Sequence, residues 1–403
     1  MNIIHTSDWH IGQRLYSKER EEEHSAFFDW LLKTVTQTQT EVLLISGDIF
    51  DISYPSNTAL SLYYKILTQL SLTCCKHIII TGGNHDSIST LNAPKELLNV
   101  LNIKVIGGAT ENISDEIIEI KNSENELQLV VCAVPFLRDK DLRDSKAGES
   151  YEDRTQAIRN GIINHYVTIA NLCQNYIEKK IPVIAMGHLL AAGSSVSESE
   201  REIYIGNLGH INANQFPELF SYIALGHIHR PQIVAQNEHI RYSGSPIPLS
   251  FSEKDEQKYV ILLNTENEKI SSITKLEIPP YRKLIRAEGT LAEVVNILKK
   301  FQEGKVPHWA EVTIIEENAT RDLVEQFTEI ASTLKNVEIL KLKVLQKNSL
   351  GSITNLVEEH ETLADLEVKD VFFRLLEKNG KTEDAELSLI FSELLDSINE
   401  ENL

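Results

Sequence analysis

Five short stretches of the chain place ligand-type side chains immediately after an apolar run and beside a small or turn-forming residue. They are SDWH with Asp8 and His10, GDIFD with Asp48 and Asp51, GNHD with Asn84, His85 and Asp86, GH with His188, and GHIH with His227 and His229. Taken singly, each has an ordinary explanation: aspartates make turns, and histidines cap strands. Taken together and in order, they supply four imidazoles (His10, His188, His227, His229), two carboxylates (Asp8, Asp48) and one amide (Asn84), with no thiolate. A mixed nitrogen and oxygen set of this kind suits manganese, iron or zinc better than calcium. Seven ligands exceed what one ion takes but serve two if a carboxylate bridges them, and Asp48 on its strand-end turn is the candidate bridge. Two ions about 3.5–4 Å apart can clamp the attacking and leaving oxygens of an in-line phosphoryl displacement.

For that chemistry the stretches must converge, and the flanking sequence indicates how. NIIHT, VLLIS, HIIIT, IPVIAMG and YIALG read as short buried strands. Apolar residues at helical spacing follow the first two, Phe27, Phe28, Leu31, Leu32 and Val35 among them, with a second helix expected over 60–70. Hairpin-like pairs occur at EIIEI…LQLVV, QIVA…HIRYS and YVILL…SITKLEI. The expected fold class is α/β, mixed sheets flanked by helices, and functional groups in such folds collect beyond the carboxyl ends of the strands.

Pro279-Pro280 marks a boundary, after which a smaller strand–helix–strand–helix–strand pattern of roughly split-βαβ type runs to Gln346. Beyond a polar linker, two short amphipathic helices are expected, one carrying Val368, Val371, Phe372 and Leu375 and the other Leu387, Ile390, Leu394, Leu395 and Ile398. Three domains are therefore expected: 1–278, 281–346 and 347–403.

Composition constrains the function less. A net charge of −20 argues against a broadly basic nucleic-acid binder, but residues from Lys347 onward hold 14 acids against 5 bases, a net of −9 in 57 residues. The first 346 residues therefore carry −11 (−20 + 9), and a local patch or a basic partner could still supply DNA contacts. No apolar run approaches the ~20 residues needed to span a bilayer, so no membrane association and a cytoplasmic location are expected. The four cysteines show no C-x-x-C spacing and are expected to be reduced and mostly buried.

The order D-x-H, G-D-x-x-D, G-N-H-D, G-H, G-H-x-H resembles the calcineurin-like metallophosphoesterase superfamily. The fuller strings HTSDWHIGQ, SGDIFD, GGNHDS, IYIGNL, ALGHIHR and YSGSPIPLSF resemble one branch, the SbcD family of bacterial nuclease subunits, counterparts of the Mre-type nucleases. The likeness runs from residue 1 to about 275 and continues more loosely beyond. It implies a metallophosphoesterase β-sandwich with a small α+β capping domain and a C-terminal helix pair. It implies two Mn2+ ions, one held by Asp8, His10, Asp48 and His229, the other by Asp48, Asn84, His188 and His227. His85 would lie near the phosphate outside the metal shell, and Asp86 would orient its imidazole. Asp51 reads as a turn residue steadying the loop. The implied activity is cleavage of double-stranded DNA ends and hairpins. The implied partner is an SbcC-type ATPase, with a homodimer inside a heterotetramer. Two alternatives stay open on the residues alone: another metallophosphoesterase acting on phosphoproteins or nucleotides, and a repair scaffold without catalysis. Trp9 reads as a packing wall, and Lys341 and Lys343 as a solvated sheet face.

Overall fold

A computed structural model of the chain describes residues 1–143, 148–191, 194, 211–266, 269–304, 306–317, 321–346 and 391. The IYIGNL string and the two expected terminal helices, apart from Phe391, lie outside the described residues. The chain divides into two compact units, one of Met1–Gln13, Arg20–Leu249 and Glu256–Pro279, the other of Arg14–Glu19, Ser250–Asp255 and the residues from Pro280 on.

The larger unit is built on two six-stranded sheets. In the first, the order is Lys269–Glu277, Tyr259–Glu266, Asn2–Thr6, Val42–Ser46, His77–Thr81, Ile103–Ile106, and the last four strands run parallel. In the second, the order is Gln232–Val234, Asn237–Tyr242, Tyr222–Gly226, Val183–His188, Leu127–Ala133, Ile117–Lys121, and the middle four run parallel. The three expected hairpins are all present as antiparallel pairs.

Side-chain alternation explains why two sheets stack here. Along Val42–Ser46 every residue is buried. Val42 and Leu44 enter a core shared with Ile184, Met186, Tyr222 and Ala224 of the second sheet. Leu43 and Ile45 face the other way, toward Phe27, Leu31, Tyr63 and Ile66 of helices Glu21–Gln37 and Asn57–Ser71. The second sheet's outer face packs in the same manner on Ile158, Ile162, Tyr166 and Ile169 of helix Tyr151–Leu172. The strands are apolar on both faces because both faces are covered. Ser56 starts the helix after GDIFD by accepting the Ala59 N–H at 3.2 Å, as an N-cap serine should.

The smaller unit differs from the expected split-βαβ topology. Its strands Leu284–Gly289, His308–Glu316 and Val337–Gln346 are adjacent and parallel in sequence order, so the unit is two successive βαβ crossovers. Helices Leu291–Leu298 and Arg321–Ser332 cover one face through Val294, Leu298, Leu323 and Phe327. Arg14–Glu19 and Ser250–Asp255 lie on the other, where Leu15 and Phe251 pack on Leu284 and Trp309. Tyr16 donates to Glu311 at 3.0 Å, and Lys341 sits 5.1 Å from the Tyr16 ring centroid. Lys341 is thus engaged with an aromatic ring and with Glu311 at 3.7 Å, where the sequence suggested a merely solvated face.

Candidate metal centre

All the ligand-bearing stretches leave their sheets at one pole of the larger unit. Parallel pairing places Thr6 beside Ile45 and Ser46 beside Thr81 in one sheet, and Gly226 beside His188 in the other. The two sheets close on each other there with little space. A Cβ on Gly226 would lie 1.8 Å from the Ser46 carbonyl oxygen, and one on Gly83 would lie 2.1 Å from Asp48 Oδ1. Only glycine allows this approach.

Beyond the strands, the loops of Asp8–His10 and Asp48–Asp51 remain paired. Asp8 donates its N–H to the Gly47 carbonyl at 3.0 Å, His10 to Asp48 at 3.0 Å, and Ile11 to Ile49 at 2.9 Å. Asp8, His10 and Asp48 all take left-handed backbone, with φ of 52°, 45° and 49°, and His227 has φ 99°. Non-glycine residues avoid this region, so four of the seven candidate ligands occupy conformations that persist only where the surroundings dictate them. Trp9, between two of them, is fully buried. It packs edge-on against Phe27 and Phe28 and donates to Thr6 Oγ1 at 3.1 Å, which makes it the packing wall the sequence suggested.

The side chains fall into two groups. Atoms of Asp8, His10 and His229 lie mutually close, and so do those of Asp48, His188 and His227; all six residues are buried. Asn84 Oδ1 joins the second group, 3.0 Å from both His188 Nε2 and His227 Nδ1. Asp48 links the groups: its Oδ2 is 3.2 Å from His188 Nε2 and 3.6 Å from His10 Nε2. His10, Asp51 and His85 form a further triad around the same edge.

Hydrogen bonds fix which nitrogen each ring presents. His188 Nδ1 lies 2.9 Å from the Ser46 carbonyl and His10 Nδ1 lies 3.1 Å from Asp51 Oδ1. Both rings are therefore left with Nε2 for a ligand, an arrangement typical of metal-binding histidines. His10 Nε2 and His85 Nε2 are buried without a hydrogen-bond partner, in a cluster rich in carboxylate oxygens. Orphaned buried nitrogens of this sort are costly unless something completes them. A divalent cation fits the unsatisfied His10 nitrogen and the chemistry of the surrounding donors.

Charge in the cluster is finely divided. Burial alone would raise Asp48, yet the imidazoles of His188, His85 and His10 hold it well below the ordinary carboxylate range. Burial and the Asp48 charge push Asp8 up to about 6 against the pull of His188 and His10. His10 and His188 are raised to about 9: burial opposes their charge, but Asp51, Asp48 and Asp8 around the first, and Asp48 and Asp8 around the second, outweigh it. His227 falls to about 3 and His229 well below its usual range, each through burial first and neighbouring imidazoles next. Without metal, protons on His10 and His188 thus balance the carboxylates. A bound cation takes their place.

One expected role is corrected. Asp86 does not touch the His85 imidazole; its carboxylate accepts the N–H groups of Ile49 (3.0 Å), Phe50 (3.0 Å) and Gly83 (2.9 Å). It ties the GDIFD loop to the GNHD loop. His85 Nδ1 is instead set by the Asp51 main-chain carbonyl at 2.6 Å, while the His85 N–H donates to Asp48 Oδ1 at 3.0 Å. Asp51 therefore orients His10 through its side chain and His85 through its backbone.

The sequence reading also gave no role to several supports. Ser7 donates to Asp8 Oδ2 at 2.5 Å and lies 2.8 Å from Ser243 Oγ, and the His227 N–H donates to Asp8 Oδ1 at 2.8 Å. His24 Nε2 lies 2.7 Å from the Trp9 carbonyl. The serines of YSGSP were the available signal, since two hydroxyls flanking a glycine just past a strand are placed to brace a loop.

The chain also matches known families and proteins. Residues 1–231 match the calcineurin-like phosphoesterase family, and residues 280–379 match a family described as the type 5 capsule protein repressor C-terminal domain. Fold, site and match define a calcineurin-like phosphoesterase. The chain is 35% identical over 403 residues to the SbcD subunit of the nuclease SbcCD of Escherichia coli K12, covering 99% of this chain and 98% of that protein. The corresponding protein of Rhodobacter capsulatus is 34% identical over 311 residues (74% of this chain, 76% of that protein), and that of Bacillus subtilis 28% over 427 residues, with 100% of both chains covered. Within the phosphoesterases, the chain belongs to the SbcD nuclease family.

Proposed function

We propose that the protein is the nuclease subunit of an SbcCD-type complex and hydrolyses DNA phosphodiester bonds at a pair of divalent ions, Mn2+ in the first instance. The observation that carries this reading is the sharing of Asp48 between two buried ligand groups within one cluster. Asp8, His10, Asp48 and His229 would hold one ion, and Asp48, Asn84, His188 and His227 the other. When bound, such a pair neutralises charge developing on the phosphate and on its attacking and leaving oxygens.

The chain's own residues prepare the site for that task. The left-handed turns at Asp8, His10 and Asp48 aim three ligands from two loops at one point before any ion arrives. Asp86 locks the two loops together from behind. His85, held by the Asp51 carbonyl through Nδ1, has Nε2 left to transfer a proton to the departing oxygen or to hydrogen-bond the phosphate.

Residues 1–278 would form the catalytic domain, 281–346 a cap shaping access to DNA, and 347–403 the segment that docks on an SbcC-type ATPase. The names of the relatives support that partner. Leu97 and Val100, 71% and 80% exposed on helix Lys95–Val100, suit a contact between two copies within a heterotetramer. Among the described residues no helix is long and apolar enough to cross a membrane, and action on DNA would place the protein in the cytoplasm.

The test is incubation of the purified full chain with Mn2+, alone and with SbcC and ATP, on blunt duplex and hairpin DNA. Metal-dependent cutting of both substrates, increased by SbcC and ATP, is the expected result. Inert DNA alongside rapid hydrolysis of a phosphoprotein or a nucleotide would overturn the reading.

A further inference from the structure

Two donors converge on a single backbone atom, the carbonyl oxygen of His229. Lys258 Nζ donates at 2.9 Å and the Ser245 N–H at 3.1 Å, while the Ser245 hydroxyl, 3.4 Å from the same oxygen, lies closer to the Ile247 carbonyl at 2.9 Å. Gly244, at φ 76°, brings the opposing backbone so close that a Cβ there would lie 2.6 Å from the same oxygen. Lys258 is only 3% exposed, and its ammonium also reaches Ser245 Oγ at 3.2 Å and Glu256 Oε2 at 3.5 Å. The other oxygen of Glu256 accepts Arg230 Nε at 2.6 Å. The peptide joining His229 to Arg230 is thus gripped at its carbonyl by Lys258 and one residue later by the acid that pairs with Lys258.

A buried ammonium is costly, and one beside a cluster built to attract cations works against that cluster electrostatically. Its packing role here offsets that cost. The GHIH loop leaves its strand through His227 at φ 99°, a conformation that needs external support. His227 has its own anchors, its N–H on Asp8 Oδ1 and its Nδ1 3.0 Å from Asn84 Oδ1. The backbone of His229 is held by the Lys258 and Ser245 set.

We propose that Lys258 is a positioning residue for one of the two ions: by holding the His229 carbonyl it fixes that imidazole against Asp8 and His10, and it leaves the group of Asp48, Asn84, His188 and His227 unaffected. This rests on the two-ion reading above. Lys258 is buried and bonds the His229 backbone, so its loss would act through the ion that His229 is proposed to hold.

Mn2+ binding to the full chain, measured by calorimetric titration and chelator competition, tests this directly, with thermal unfolding followed in parallel. In Lys258→Met, one ion should bind as in the unaltered protein and the other at least tenfold more weakly. Lys258→Gln, a neutral donor of shorter reach, should recover part of that loss, separating the hydrogen bond from the charge. Two ions bound with unaltered affinity by Lys258→Met would overturn the inference, as would tighter binding, which would make the ammonium a net repellent. Equal weakening of both ions with a lowered melting temperature and no recovery in Lys258→Gln would reduce Lys258 to general support of the fold and overturn it too. If the unaltered protein itself binds a single ion, the two-ion reading fails first, and the inference falls with it.

Discussion

The two halves of the metal centre are held by different means. Around Asp48, Asn84, His188 and His227 the constraint is backbone packing: Gly83 and Gly226 let strand ends meet at distances no other residue permits, and the Ser46 carbonyl fixes His188. Around Asp8, His10 and His229 side chains reaching in add most of the constraint: Ser7 and Ser243 stand behind Asp8, Asp51 behind His10 and Lys258 behind His229, beside one close backbone approach at Gly244 and Ser245. A half built from backbone has few graded failures, because a single methyl group displaces a strand. A half built from side chains can be weakened one hydrogen bond at a time.

The largest effect should come from the residue common to both halves. Asp48→Asn would remove the charge that the two ions are proposed to share, and turnover should fall by roughly 10⁴-fold with the fold intact by circular dichroism. Near-normal cutting with two ions bound would remove Asp48 from its role. Next, Gly226→Ala should cost about 3–5 kcal/mol of stability in denaturant unfolding, since its Cβ would lie 1.8 Å from the Ser46 oxygen and neither strand can retreat. A loss below about 1 kcal/mol would show that the sheets yield there, and the contrast between the halves would dissolve.

His85 sharpens the comparison because it adjoins both groups and belongs to neither. His85→Ala should lose about 10²–10⁴-fold in turnover while binding metal normally. Parallel loss of metal and activity would instead make it a ligand, through the triad of His10, Asp51 and His85.

Acidity should produce the most graded change. With His10 and His188 raised to about 9 in the metal-free protein, both are protonated at pH 7 and both must lose that proton to bind an ion. Affinity therefore rises with pH until about 9 and falls as the solution is acidified, and below about 6 Asp8 adds a third competing proton. Loading both sites at pH 7 should release roughly two protons. Calorimetry in buffers of different ionisation enthalpy counts them, and a count near zero would contradict this charge balance.

Much of this centre was legible in the sequence because each ligand follows a short apolar strand, a local pattern that the parallel sheets then bring to one edge. Asp86 was misread for a physical reason. Its partners are the backbone N–H groups of Ile49, Phe50 and Gly83, which every sequence carries and none advertises. Lys258 was missed because a lone lysine before a strand reads as surface. In the smaller unit, the run of strands and helices was visible, but strand order is set by long-range pairing that no local period encodes. The excursions at Arg14–Glu19 and Ser250–Asp255 are too short to show any periodicity.

Asp48 as the bridge between two ions is the central claim, and anomalous scattering from manganese-soaked crystals tests it most directly. Two manganese peaks about 3.5–4 Å apart, both contacting the Asp48 carboxylate, with His229 on one and His188 and His227 on the other, are the predicted result. A single peak, or one held by His10, Asp51 and His85, would contradict it.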